Sequence, residues 1–200
     1  MPLSHAQGEQ IVRLARATVD GYVKGENNGR SRAGDEPFLR EHRGTFVTLK
    51  NGDGSLRGCI GFPYPVKPLW EAIVESAMSA AAHDPRFPQV EPVELDGILV
   101  EVSALTRPEK IACASPLELP KHVRVGVDGL ILSSPVSSGL LLPQVATEYN
   151  LSPDEFLTQT CLKAGLSADA WLTDKVVVQR FQAEVFSEIS PRGPIKRELD

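Results

Sequence analysis

The chain has 200 residues, 42 % hydrophobic and 24 % charged, the balance of a soluble globular protein rather than a disordered one. Its longest apolar runs, at 129–132 and 139–142, fall far short of the roughly 20 residues that cross a bilayer, so no membrane span is expected. With 21 basic and 26 acidic residues the net charge is −5, and no Lys/Arg block offsets it, which argues against nucleic acid as a partner.

The opening MPLSHAQGEQ has no basic region followed by an apolar stretch, so a cytoplasmic location is expected. Cys59, Cys113 and Cys161 stand far apart with no CxxC pair, which reads as three free thiols rather than a disulfide framework or a structural zinc site. The four histidines are dispersed and no metal site is expected. Phosphate-loop, HExxH and GxSxG patterns are absent. The residues name no cofactor.

In chain order, apolar residues at helical spacing predict a helix over 5–24, ended by Gly25. Gly25–Pro37 reads as a polar, glycine-rich loop. Phe46–Lys50, the turn Asn51–Gly54 and the stretch SLRGCIG predict a β-hairpin, with Asn51-Gly52 supplying positive φ. Three prolines follow before a helix over Leu69–Asp84. Ile98–Thr106 alternates as a strand. The segments Val123–Val127, Leu130–Ser134 and Gly139–Leu142 read as a three-stranded meander turning at Asp128-Gly129. A short helix starts at Pro143, and another is opened by a Ser152/Glu155 capping box. The segment 176–189 is β-rich, and the tail from Ser190 reads as loosely held. Strands joined by tight turns beside helices indicate an α+β fold with antiparallel sheets.

Three groups carry candidate chemistry. In the strand LRGCIG, Leu56, Gly58 and Ile60 share one face and suit a core. Arg57, Cys59 and Gly61 share the other, placing a cation, a thiol and open space together. A cation beside Cys59 would favour its thiolate, whereas the blander reading has an inert cysteine and Arg57 paired to a distant carboxylate. His83, Asp84 and Arg86 sit where a helix stops, either as base and orienter for a thiol or simply as a helix cap. Glu101 and Ser103 share the face of their strand opposite Val100 and Val102, solvated or turned to a ligand. Gln144, at a helix start, offers a neutral hydrogen-bonding group.

The blocks LRGCIG at 56–61, AAHDPRF at 81–87, LVEVSALT at 99–106, VGVDGLIL at 125–132, GLLLPQVA at 139–146 and DEFLTQTCLKAGL at 154–166 resemble the AMMECR domain family. The resemblance runs from about Phe46 to Phe186. It implies two subdomains, each an antiparallel sheet with packed helices, and a cleft between them. The larger is expected over 1–112 plus 175–200, and the smaller, inserted one over 113–174. It also implies that Arg57 and Cys59 face that cleft, with His83, Asp84, Arg86, Glu101 and Gln144 as candidate neighbours; Gly58, Gly61 and Ser103 complete the candidate ligand-binding residues. Memo-type and radical-SAM proteins are the partners the resemblance suggests. A small molecule or peptide bound in the cleft is the leading expectation. An enzyme using Cys59 as nucleophile or redox thiol, with His83 and Glu101 as further catalytic candidates, is the alternative, and a protein-binding scaffold contacting partners through its tail or the cleft rim is a third.

Overall fold

The computed structural model describes residues 2–26, 36–173 and 175–198. Two compact units result, one from 1–105 with 184–200 and the other from 106–183.

The first unit begins with α1 (His5–Val23), closed at its N-terminus by a reciprocal Ser4/Gln7 capping box. The hairpin β1 (Thr45–Lys50) and β2 (Leu56–Phe62) leads to α2 (Leu69–Ala82) and β3 (Leu99–Leu105). The strands β8 (Ala183–Glu188) and β9 (Ile195–Arg197) complete a five-stranded sheet in the order β2-β1-β3-β8-β9. Val47, Leu49, Val100, Val102 and Ala104 bury one sheet face against Ile11, Ala15 and Val19 of α1 and Ile73, Ala77 and Ala81 of α2. The period-2 and period-3.6 patterns thus meet in one core. A buried Arg16–Glu188 ion pair ties α1 to β8 across 172 positions of sequence.

The second unit contains β4 (Glu109–Lys110), β5 (Gly129–Ser133), β6 (Ser138–Leu141), α3 (Pro143–Glu148), α4 (Pro153–Lys163) and β7 (Val177–Phe181). Its sheet runs β4-β7-β5-β6, with antiparallel pairing throughout. Its own core gathers Leu130, Leu132, Phe156, Leu157, Cys161 and Trp171. The Ser152/Glu155 capping box opens α4 as expected, and Cys161 packs inside.

Several local expectations change. The inserted unit spans 106–183 rather than 113–174, because β4 and β7 pair with each other and belong to its sheet. Residues 123–127 form a turn with Gly126 at φ +81, not a strand; Gly129 opens β5 and the sheet's third long strand is β7. In the first hairpin the positive φ falls on Gly54 (φ +85), not on Asn51-Gly52. The β-rich stretch 176–189 divides at Gln182 into two strands of different sheets. The loop expected at Gly25–Pro37 lies mostly (27–35) outside the described residues.

Through Glu198 the tail is not loose. Ile195 is 4 % exposed, β9 pairs with β8, and Arg197 reaches Glu184 at 2.9 Å. Truncation before Ile195 is expected to cost at least about 2 kcal/mol, since burying one isoleucine is worth about that much. An unchanged thermal midpoint in the truncated chain would contradict this.

Candidate functional site

Register builds the site. Across the first sheet Thr48 of β1 faces Cys59 of β2 on one side and Glu101 of β3 on the other. The three side chains form a row on the sheet face opposite α1 and α2. Thr48 Oγ1 donates to Cys59 Sγ at 3.3 Å. Lys50, two residues along β1, reaches Glu101 Oε2 at 2.6 Å. Glu101 is only 5 % exposed, so its solvated reading is overturned. Ser103 continues β3 on the same face at 1 % exposure, and its Oγ has no hydrogen-bond partner among the described residues.

The strand β2 is the sheet edge, with a row of backbone groups that no neighbouring strand pairs. The segment following α2 supplies the missing partner at one position. Asp84 Oδ2 accepts the Cys59 N–H at 2.8 Å, and Arg86 Nη2 donates to the Cys59 carbonyl at 3.3 Å. Arg86 in turn grips Asp84 through Nε at 2.9 Å and Nη2 at 2.7 Å. Asp84 is buried, and these donors, Arg86 foremost, pull its carboxyl down to about 2. The pair therefore works as a clip on the edge strand. His83 does not join it: exposed at the end of α2, its ring meets Tyr22 of α1 edge-on at 6.5 Å between centroids.

The expectation for Arg57 also changes. Its guanidinium is committed to Glu94, through Nε at 2.7 Å and Nη2 at 2.9 Å, and to the Pro88 carbonyl at 3.0 Å. The cation acting on Cys59 is Arg86. Burial is the larger influence and pushes the thiol up, assisted by Glu101 and Asp84, while the Thr48 hydrogen bond and Arg86 pull it down. An up-shifted thiol is the opposite of an activated nucleophile.

The glycines turn out to be packing residues. A methyl group on Gly58 would overlap the Ala80 carbonyl of α2, and one on Gly61 would overlap the Thr45 carbonyl and Phe46 of β1. Gly61 therefore permits close approach of the hairpin strands and leaves no open room. Leu56, expected in the core, is 38 % exposed at the strand end.

Beyond Glu101 the row opens into a hollow of about 210 Å³ lined by Lys50, Leu99, Glu101, Ser187, Lys196 and Glu198 among others. Lys196 pairs with Glu198 at 2.9 Å. Thr48, Lys50, Lys196 and Glu198 were not singled out from sequence. The hairpin register, with Cys59 known, would have found Thr48; nothing local marks the others. In the second unit, Gln144 carries a buried Oε1 with no hydrogen-bond partner among the described residues. No cluster of three or more metal-ligating side chains occurs among the described residues, and none of their helices is long and apolar enough to cross a membrane.

Comparison with known proteins gives a consistent result. A profile of the AMMECR1 family matches residues 12–186. A protein of Methanothermobacter thermautotrophicus is 50 % identical over 187 residues, covering 94 % of this chain and 97 % of its own. Protein PH0010 of Pyrococcus horikoshii is 47 % identical over 194 residues, covering 95 % of this chain and 94 % of its own. The crystal structure of PH0010, described as an uncharacterized protein, superposes with a TM-score of 0.90 over 96 % of this chain and 97 % of that one. The α+β architecture is shared, and the chain belongs to the AMMECR1 family.

Proposed function

We propose that the protein is a binding protein for a small zwitterionic ligand, an amino-acid-like metabolite or the backbone end of a peptide. The ligand would be held by the Lys50–Glu101 row and the hollow beside it. The observation that supports this reading is the hollow's mixed charge: two ammonium groups and the carboxylates of Glu101 and Glu198 around one opening, with the Ser187 hydroxyl donating to Glu198 and the Glu188 carboxylate committed to Arg16. Both internal ion pairs are partly open to solvent, with Lys50 35 % and Lys196 50 % exposed. The more open Lys196–Glu198 pair is worth little in water, about 0–1 kcal/mol, so a ligand's carboxylate and ammonium can exchange with it at small cost, while buried Glu101 holds Lys50 in place.

Saturation-transfer NMR with a dipeptide such as alanyl-alanine tests it. Transfer is expected with the native protein and with Cys59→Ala, and is expected to disappear in Lys50→Met/Glu101→Gln. Persistence of the signal in that double variant overturns the reading.

The thiol reading makes a separate, measurable prediction. With its thiol held above the free value of about 8.5, Cys59 is expected to alkylate with iodoacetamide more slowly at pH 7 than a free thiol does. Its labelling should rise only in alkaline solution. Fast labelling of Cys59 at pH 7 would favour the nucleophile instead.

A further inference from the structure

We propose a second ligand site, in the second unit, for a small phosphate monoester. Thr106, Arg107, Glu109, Arg124, Asp128, Arg180, Phe181 and Gln182 line a hollow of about 270 Å³ that shares no residue with the row around Cys59. Three guanidinia stand there against two carboxylates, a local charge of 3 − 2 = +1 on a chain whose net charge is −5.

How those charges are committed decides what the hollow can take. Asp128 is fully buried and spent on Arg124. It accepts the backbone N–H at 3.0 Å, Nε at 3.1 Å and Nη2 at 2.8 Å. Arg124 is thereby held as a fixed fork while its side chain stays 56 % exposed. Arg180 spends one N–H, Nη1, on the His122 carbonyl at 3.2 Å. Arg107 makes no hydrogen bond or ion pair among the described residues. Two guanidinia therefore have donors to spare beside a third that is rigidly placed, and planar N–H forks match phosphate oxygens.

The remaining lining limits the ligand's size and character. The volume sits at the small end of ligand sites, enough for a phosphate and a short carbon body. The Thr106 hydroxyl, which accepts the Gln182 N–H at 2.9 Å, the Gln182 amide and the Glu109 carboxylate are placed to meet hydroxyl groups on that body.

Calorimetric titration at low ionic strength, with glycerol 3-phosphate, inorganic phosphate and glycerol as probes, tests the site. Saturable binding is expected for the ester, weaker binding for inorganic phosphate, and none for glycerol. Affinity for the ester is expected to fall about tenfold in Arg107→Ala and in Arg180→Ala, and to stay unchanged in Lys121→Ala, an exposed lysine that does not line the hollow. Arg107→Ala removes an exposed side chain that holds nothing in the fold, so its circular dichroism and thermal midpoint should match the parent. Absence of saturable binding to the ester, or equal affinity in the parent and both arginine variants, overturns the proposal. The dipeptide experiment above reads a different unit and is unaffected by either result.

Discussion

Replacing Asp84 with alanine is expected to lower the thermal midpoint of the first unit by roughly 5–15 °C, the counterpart of a loss of roughly 2–4 kcal/mol. The carboxylate accepts the edge strand's Cys59 N–H and fixes Arg86, which itself holds the Cys59 carbonyl. Alanine leaves a part-buried N–H with no acceptor and frees the guanidinium to leave the strand. Asparagine should cost less, since its amide oxygen can still accept one bond. Cys59→Ala should leave the midpoint nearly unchanged, because the clip holds backbone and not sulfur. Equal midpoints for Asp84→Ala and the parent would remove the clip from the account.

The same carboxylate makes stability fall with pH in a defined window. Its folded value of about 2 lies below the unfolded value near 3.9, so its contribution is fully present above about pH 4. That contribution is lost as pH falls toward 2 and is at most about 2 kcal/mol, because Arg86 is half-exposed and its field is screened. Denaturant titrations of the parent between pH 5 and 2 should show the decline. Asp84→Asn should show correspondingly less of it. A variant with the same acid slope as the parent would place the titration elsewhere.

Gly58→Ala is the second large effect, about 3 kcal/mol of destabilisation or more. The added methyl meets the Ala80 carbonyl, which belongs to a helix backbone and cannot turn aside as a side chain would. Stiffening of the unfolded chain works the other way, by about 0.4–1 kcal/mol, and is outweighed. Gly52→Ala is the control. In the same hairpin, its methyl would find only the Gly97 carbonyl at 3.6 Å, an ordinary contact. If both variants unfold at the parent's midpoint, the close approach of α2 to β2 does not constrain position 58.

These two positions show where the sequence was legible. LRGCIG was correctly read as a strand, and Ile98, Val100, Val102 and Ala104 as core, because side-chain period follows directly from local geometry. The roles of the residues within the motif depend on distant partners. The alternation expected to put Arg57 beside Cys59 is interrupted at Arg57, where Leu49 pairs with Gly58 but Lys50 with Leu56, and the partner that commits Arg57 is Glu94, 37 positions away. Asp84 and Arg86 stand beside His83 in the sequence, but their target is a backbone amide and carbonyl, and a backbone target leaves no residue-type signature. His83 had the right chemistry and the wrong neighbour.

What the sequence by itself determined is the class of fold, the main helices with the cap of α4, the first hairpin and the core face of β3. Each of these depends on residues within a few positions of one another. The tertiary structure alone decided that 176–189 serves two sheets, that the tail is a strand, and that Thr48, Cys59, Glu101 and Lys50 stand together. It also decided the protonation tendency of Cys59, for burial and charge at the sulfur come from segments distant in the chain: Thr48, Asp84, Arg86 and Glu101. Long-range pairing sets both the neighbours and the dielectric around a group, and neither is written in that group's own stretch of sequence.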